Sequence, residues 1–352
     1  MMDEAWKGLV MSELAVSAFH DIAATGQASF AALDLGTNNC RLLVGAPTSD
    51  GFRVLDSFSR IVRLGEGLAE SGRLGCDAME RTIAALHGCA ARLRRRPVRA
   101  MRAIATEACR RAVNGREFLG RVRAETGLRI DVISSREEAE LALESCTPLL
   151  RGIGRRALLF DIGGGSTELA WVRLMDGGTR PELIGTVSLP VGVVTLANRF
   201  RNGGPGVFGA VVEQVAAQLR RFETVHRIGQ EMSLGGVALL GTSGTVTTLA
   251  GIVLDLPRYT RSMVDGFILS DDDATAALAR LHELGLAGLA AHPCIGPERA
   301  EFVLPGCAIF EAIRLVWPSP QVTVADRGLR EGMLLRMIRG NKPARRTPGW
   351  RP

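Results

Sequence analysis

Two stretches of this chain order their apolar and polar residues in the same way. FAALDLGTNNCRLLVG (30–45) and LLFDIGGGSTELAWV (158–172) each read as an apolar run, an acid, an apolar residue, a glycine, a short polar turn and a second apolar run. Each predicts a β-hairpin. Aligned on Asp34 and Asp161, the copies lie about one domain length apart, so the repeat predicts two similar domains. FRVLDSFSRIVRLGEGL (52–68) predicts a third strand and a loop. The pattern then predicts a helix over Asp77–Arg95 ended by Pro97, a strand over Val98–Ala105, a helix over Glu107–Thr126, a strand over Arg129–Ser134 and a helix over Arg136–Leu150. That order is βββαβαβα. The second half continues with a strand at Leu183–Leu189, a helix over Val207–Val225, and a strand plus turn at VALLGTSGT (237–245). Helices over Asp272–Leu284 and Glu298–Leu315, a strand at Val322–Ala325 and a helix over Gly328–Ile338 complete it. The fold class is α/β. Expected units are a loosely structured extension (1–27), a first domain (28–152), a second domain (153–325), a C-terminal helix (326–340) packing back on the first domain, and a polar tail (341–352).

Composition narrows the class. Of 352 residues, 46% are hydrophobic and 23% charged, as in an ordinary globular protein. The net charge of +6 comes almost wholly from arginine, since lysine occurs only at Lys7 and Lys342. Arginine's fixed donor fork suits phosphate oxygens, although a GC-rich genome gives the same excess. The seven cysteines contain no CxxC pair, which suggests neither a zinc site nor a disulfide framework. They read as buried small hydrophobes in a reducing cytosol. No apolar run approaches the roughly 18 residues that span a bilayer, and the first residues lack a signal peptide's basic region. A cytoplasmic protein with no membrane or nucleic-acid partner is expected.

Three consecutive glycines beside Asp161 need a reason, because glycine is costly to order. A dinucleotide fingerprint requires a helix after the glycines, yet GGGSTELAWV returns to strand composition. GxxxxGK[ST] is absent, so a P-loop is excluded. What remains is a hairpin turn whose successive amides form a concave nest for an anion, with Ser166 and Thr167 adding hydroxyls. Asp161 would repel a bare phosphate. It makes sense with a divalent cation between them, since magnesium is held by one or two carboxylates plus phosphate oxygens. Glu168 is a second acid for that ion. The repeat at Asp34-Leu35-Gly36-Thr37-Asn38-Asn39 and a third turn, GTSGTVTT (241–248), imply a ligand with several phosphates.

DLGTNN, DIGGGSTE and GTSGTVTTLAG resemble the phosphate-1, connecting and phosphate-2 motifs of the actin/Hsp70/sugar-kinase superfamily. Within it, ATEACRRAVN (105–114), VISSREEAEL (132–141), ERAEFVLPGCAIF (298–310) and VADRGLREGM (324–333) are most similar to the exopolyphosphatase/guanosine pentaphosphate phosphohydrolase family. The resemblance spans roughly 30–338. It implies two actin-like, ribonuclease H-like domains around a central cleft, and a homodimer. It also implies Mg²⁺- or Mn²⁺-dependent hydrolysis of inorganic polyphosphate, or alternatively of the 5′ phosphate of pppGpp.

The same resemblance implies roles for single residues. Spacing alone fits Ser135 and Glu138 as a capping box, but the resemblance makes Glu138 the catalytic glutamate and leaves Glu137 to cap from Ser134. Arg110 matches a phosphate-clamping arginine. Asp161, Glu168 and, on the other lobe, Asp34 match magnesium positions. Gly36, Thr37, Asn38, Gly163, Gly164, Gly165, Ser166, Gly244 and Thr245 are the implied phosphate contacts. Arg63 lies in a basic loop (SRIVRLGEGL) that reads as phosphate-binding or as plain surface charge. Asn39 departs from the family's usual DLGSNS.

Overall fold

The computed structural model describes residues 29–96, 98–175 and 181–340; the 1–27 extension, Pro97 and the 341–352 tail lie outside them. β1 (Phe30–Leu35), β2 (Asn39–Thr48) and β3 (Gly51–Ile61) form an antiparallel meander. Helix α1 (Cys76–Arg95) follows. β4 (Ala100–Ala105) then joins β1 in parallel, and after α2 (Glu107–Arg111) and α3 (Gly115–Thr126) a short β5 (Asp131–Val132) completes the order β3-β2-β1-β4-β5. Helix α4 (Ser135–Cys146) leads to the second sheet.

There β6 (Arg156–Ile162), β7 (Thr167–Arg173) and β8 (Glu182–Leu189) repeat the meander. Helices α5 (Val193–Asn202) and α6 (Val207–His226) and a short helix at Ile228–Ser233 precede β9 (Val237–Thr242), which pairs with β6 in parallel. Next come α7 (Gly244–Val253), β10 (Ile268–Ser270), α8 (Asp271–Ala291), α9 (Ala300–Val316), β11 (Gln321–Ala325) and α10 (Leu329–Ile338). The order β8-β7-β6-β9-β11 is the first sheet's order again, with β10 added at the edge. The architecture is therefore the duplicated α/β fold that the hairpin repeat predicts.

Period-two alternation sorts each strand between two cores. Ala31, Leu33 and Leu35 of β1 face outward into a cluster with α1 and α3, whereas Phe30 and Ala32 face inward. In β6, Leu158, Phe160 and Ile162 face outward, and Ala157 and Leu159 inward. The inward stripes of both sheets share one core with α4 and α10, through Leu141, Leu143, Met333 and Leu334. Asp34 and Asp161 continue those inward stripes at the strand ends, where the apolar filling gives way to a cleft. Helix α10 packs on β1, β2 and α4.

Several elements differ from the sequence reading. The 107–126 helix is broken at 112–114, because the Asn114 side chain turns in to accept from Leu74 N (2.8 Å) and donate to Leu74 O (3.1 Å). The 129–134 strand shortens to Asp131–Val132. Helix α5 was not expected, since VVTLANRF opens on β-branched residues; its start is fixed by Gly192 N donating to Thr195 Oγ1 (2.8 Å). GTSGT is not a free turn but the corner where β9 enters α7. The threonines of α7 read as strand formers, yet Thr247 and Thr248 back-bond to the Ser243 and Gly244 carbonyls (3.0 and 2.7 Å) inside a buried helix.

Candidate active site

The two hairpin turns are built by one device. In the first, Gly36 N donates to Asn39 O (2.9 Å), closing the turn. The carbonyls of Thr37 and Asn38 are drawn away from the cleft, onto the amides of Gly65 (2.9 Å), Val62 (2.8 Å) and Arg63 (3.0 Å). In the second, Gly163 N donates to Ser166 O (2.9 Å), and the carbonyls of Gly163 and Gly164 accept from Val193 (3.0 Å) and Val194 (2.8 Å) at the start of α5. With their carbonyls committed, the amides of Thr37, Asn38, Gly164 and Gly165 have no acceptor among the described residues. Successive free amides of this kind make an anion nest.

The third element is the N-terminus of α7, whose first amides carry the positive end of the helix dipole. Ser243 precedes it at φ +145°, a conformation that side chains rarely adopt. Its Oγ accepts from Thr245 N (3.2 Å).

The turns of the two lobes touch. A Cβ on Gly164 would lie 3.1 Å from Asn38 Cβ, and one on Gly165 only 2.5 Å from Thr37 Oγ1. That approach favours glycine at 164 and 165, while at Gly163 a Cβ would meet Ser166 O (2.9 Å) within the turn itself.

Around these turns lies a cavity of about 320 Å³, bounded by both lobes. Glu138, Asp34, Asp161, Gly36, Thr37, Asn38, Gly163, Gly164, Gly165, Ser166, Gly244 and Thr245 all line it. Arg110, Glu168 and Arg63 do not. Arg110 stands behind Glu138, donating to Glu138 Oε2 (3.1 Å), Glu107 Oε2 (2.7 Å) and Ile133 O (2.8 Å). Glu168 is buried beside Asp161 and accepts from Ser188 Oγ (2.8 Å). Arg63 pairs with Glu301. Ser134 caps α4, accepting from Glu137 N (3.2 Å), and the Glu137 carboxylate pairs with Arg102. Glu138 is thereby free of capping and points into the cleft.

Four carboxylates share this low-dielectric floor, and burial is the main cause of each shift. It pushes Glu138 well above the ordinary glutamate value; the Glu168 charge adds to this and Arg110 opposes it. Burial, then Glu168 and Asp34, push Asp161 up to about 8. Glu168 is also raised by burial, against hydrogen bonds from Ser166 and Ser188. Asp34 is raised by burial, with Arg41 opposing.

The donor set fits a hydrated cation. Asp34 Oδ1 is sealed from solvent and has no hydrogen-bond partner. Asp161 and Glu168 face each other across β6 and β7. No three acidic, histidine or cysteine side chains among the described residues converge to cage a metal by themselves. Asp161 and Glu168, with Asp34 from the opposite lobe, do not by themselves form such a cage. That suits magnesium, which keeps waters and completes its shell with phosphate oxygens.

The cavity also holds residues that the sequence reading passed over. Arg41, Arg299 and Arg330 line it, as do Tyr259, Phe302 and Asp326. The Arg299 guanidinium donates to the carbonyls of Ile295 (3.1 Å) and Cys294. Burial lowers the pKa of Arg299 and of Arg330, and the charge of Arg41 adds to it in both. Arg41 was legible: the hairpin register places it directly opposite Asp34. Arg299 and Arg330 lie within the ERAEFVLPGCAIF and VADRGLREGM stretches, but neither was singled out as a site residue.

A model of the Ppx/GppA phosphatase family matches residues 44–340. Among solved structures, the chain is similar to the Aquifex aeolicus member of that family, with 27% identity and a TM-score of 0.73 over 90% of this chain and 99% of the other. It is similar to an exopolyphosphatase-like protein at 27% identity and a TM-score of 0.77, over 88% and 97% of the two chains. An exopolyphosphatase from Cytophaga hutchinsonii shares the fold at 23% identity and a TM-score of 0.77, over 89% and 98%. With the two-lobed cleft and its phosphate-ready turns, the match over most of its length places this chain in the Ppx/GppA phosphatase family, hydrolases that act on phosphoanhydride bonds.

Proposed function

We propose that this protein is an exopolyphosphatase, which hydrolyses the terminal phosphoanhydride of inorganic polyphosphate and releases orthophosphate. The observation that carries this reading is the convergence, in one cavity, of free amides from both lobes on a buried Glu138. The terminal phosphate lies against the amides of Thr37, Asn38, Gly164 and Gly165 and the start of α7. Glu138 orients a water in line with the phosphorus. As the water oxygen bonds to phosphorus, the bond to the bridging oxygen breaks, the shortened chain leaves with that electron pair, and Glu138 takes the water's proton. A carboxylate with a raised pKa is a better proton acceptor near neutral pH than an ordinary one.

Arg110 holds Glu138 in place by a charge-assisted hydrogen bond, and its charge opposes the upward shift of the Glu138 pKa. Asp161, with Glu168 and Asp34 beside it, would hold Mg²⁺ or Mn²⁺, which would supply positive charge against the phosphate oxygens. A cytoplasmic location is supported by six buried free thiols among the seven cysteines. No described helix is long and apolar enough to cross a membrane. The expected homodimer rests on the family resemblance.

One observation favours pppGpp as a second substrate: Tyr259 and Phe302 give the cavity an aromatic surface against which a base can stack. Phosphate release from tripolyphosphate, long-chain polyphosphate and pppGpp, each with Mg²⁺ or with EDTA, tests both readings. Metal-dependent release from the polymers supports the first; pppGpp turned over far faster than either polymer gives the cleft to the second.

A further inference from the structure

Beside the cavity, one carboxylate bridges two arginines. Glu301, in the first turn of α9, receives Arg63 at Oε1 (2.6 Å) and Arg201 at Oε2 (2.7 Å). Arg63 belongs to the first lobe; Arg201, at the end of α5, and Glu301 belong to the second. Arg63 is anchored next to the first phosphate turn, its amide donating to Asn38 O (3.0 Å). It holds a left-handed backbone at φ +49°, and its guanidinium lies 5.6 Å from the Phe302 ring, which lines the cavity. Arg201 also donates to Asn198 Oδ1 (3.2 Å), and Asn198 reaches back across the lobes to Glu70 (3.4 Å).

Two guanidinium groups converging on two oxygens of one anion form the arrangement in which arginines hold a phosphate. The Glu301 side chain is 22% exposed and that of Arg201 59%, so the bridge is open to exchange with a dissolved anion. Each internal unit of a polyphosphate chain carries a single negative charge, as Glu301 does, so the exchange conserves charge.

We propose that Arg63 and Arg201 form a distal phosphate subsite which Glu301 fills in the free protein and which a long polyphosphate chain takes over. The inference rests on the polyphosphate reading above and adds chain-length selection to it. A chain whose terminal unit sits on the turns runs out past Asn38 to Arg63 and displaces Glu301. A short chain ends before the subsite and leaves the bridge closed.

The two partners of the bridge make opposite predictions. In a Glu138→Gln background with Mg²⁺, equilibrium binding is measured for long-chain polyphosphate and for tripolyphosphate, with phosphate release by the unsubstituted protein followed in parallel. Adding Glu301→Gln tightens long-chain binding about three- to five-fold, because the internal competitor loses its charge. Adding Arg201→Gln weakens it by a similar factor, and tripolyphosphate responds less than twofold to either change. A purely structural bridge would shift both variants in the same direction. Shifts of one sign, no shift in either, or an equal response of tripolyphosphate overturns the subsite. Should Glu301→Gln fail to fold, the chain-length contrast in Arg201→Gln still decides the question. Opposite shifts in a protein that releases no phosphate would keep the subsite and remove the hydrolase reading.

Discussion

Asp161 and Glu168 face each other directly across the β6–β7 hairpin, on the inward side that opens into the cleft. Asp34 and Arg41 occupy the corresponding pair of positions in β1 and β2. One copy of the repeat thus pairs an acid with a base, and the other pairs an acid with an acid. Like charges placed opposite each other on a sheet are destabilising, and the charges of Arg41 on Asp161 and of Arg110 on Glu168 oppose the upward shift that burial imposes on this pair.

Removing one of those acids should stabilise the metal-free protein. The Asp161 carboxyl is raised to about 8, so its contribution to stability is complete below the ordinary carboxylate range and is lost as pH rises through that value. In EDTA, the Tm of the parent should fall over that interval relative to Asp161→Asn. At pH 8 the variant should melt on the order of 2–4 °C higher. The added stability that Mg²⁺ and polyphosphate confer on the parent should be missing from the variant.

Arg110 donates to Glu138 Oε2 (3.1 Å). Its charge and hydrogen bond lower the Glu138 pKa against burial and Glu168. Arg110→Gln should therefore raise that pKa and move the acidic limb of the pH–kcat profile to higher pH. A drop in kcat with an unmoved limb would mean that the guanidinium acts on the substrate instead.

The contact between Gly165 and Thr37 sets how closely the lobes approach. Gly165→Ala puts a methyl 2.5 Å from Thr37 Oγ1 and 3.2 Å from Glu107 Cγ. Misplacing the turns by so much should lower kcat/KM by about 10²-fold. Thermal melting should show an overpacking cost of about 1–3 kcal/mol. Adding Thr37→Ala should recover melting temperature without restoring turnover.

Thiol chemistry reports on packing. Cys76 is exposed; Cys40, Cys89, Cys109, Cys146, Cys294 and Cys307 are buried. Burial raises the Cys109, Cys146 and Cys307 thiols to about 12, which leaves almost no thiolate at neutral pH. A disulfide reagent should titrate one thiol quickly in the native protein and all seven in denaturant.

The hairpins and their acids were legible because strand alternation and glycine punctuation are local signals. The cleft followed from the same repeat, since two copies of a turn that binds anions need a common ligand. Helices α5 and α7 were not legible: their β-branched openings argue for strands, and what makes them helical is burial against α9 and hydroxyl back-bonding. The partners of Arg110 and Arg63 were not legible for a related reason. Sequence places a cation near a cleft, but only the fold shows that Glu138 and Glu301 reach those cations first. Arg299 joins the site from the residue before α9, and Arg330 from α10, whose approach to β1 is a matter of tertiary packing.

The measurement closest to the centre of this account is phosphate release from polyphosphate by the parent and by Glu138→Gln, with Mg²⁺ and with binding followed alongside. The expected result is a loss of about 10²–10⁴-fold in kcat with the polymer still bound. A Glu138→Gln protein that releases phosphate as fast as the parent would contradict it.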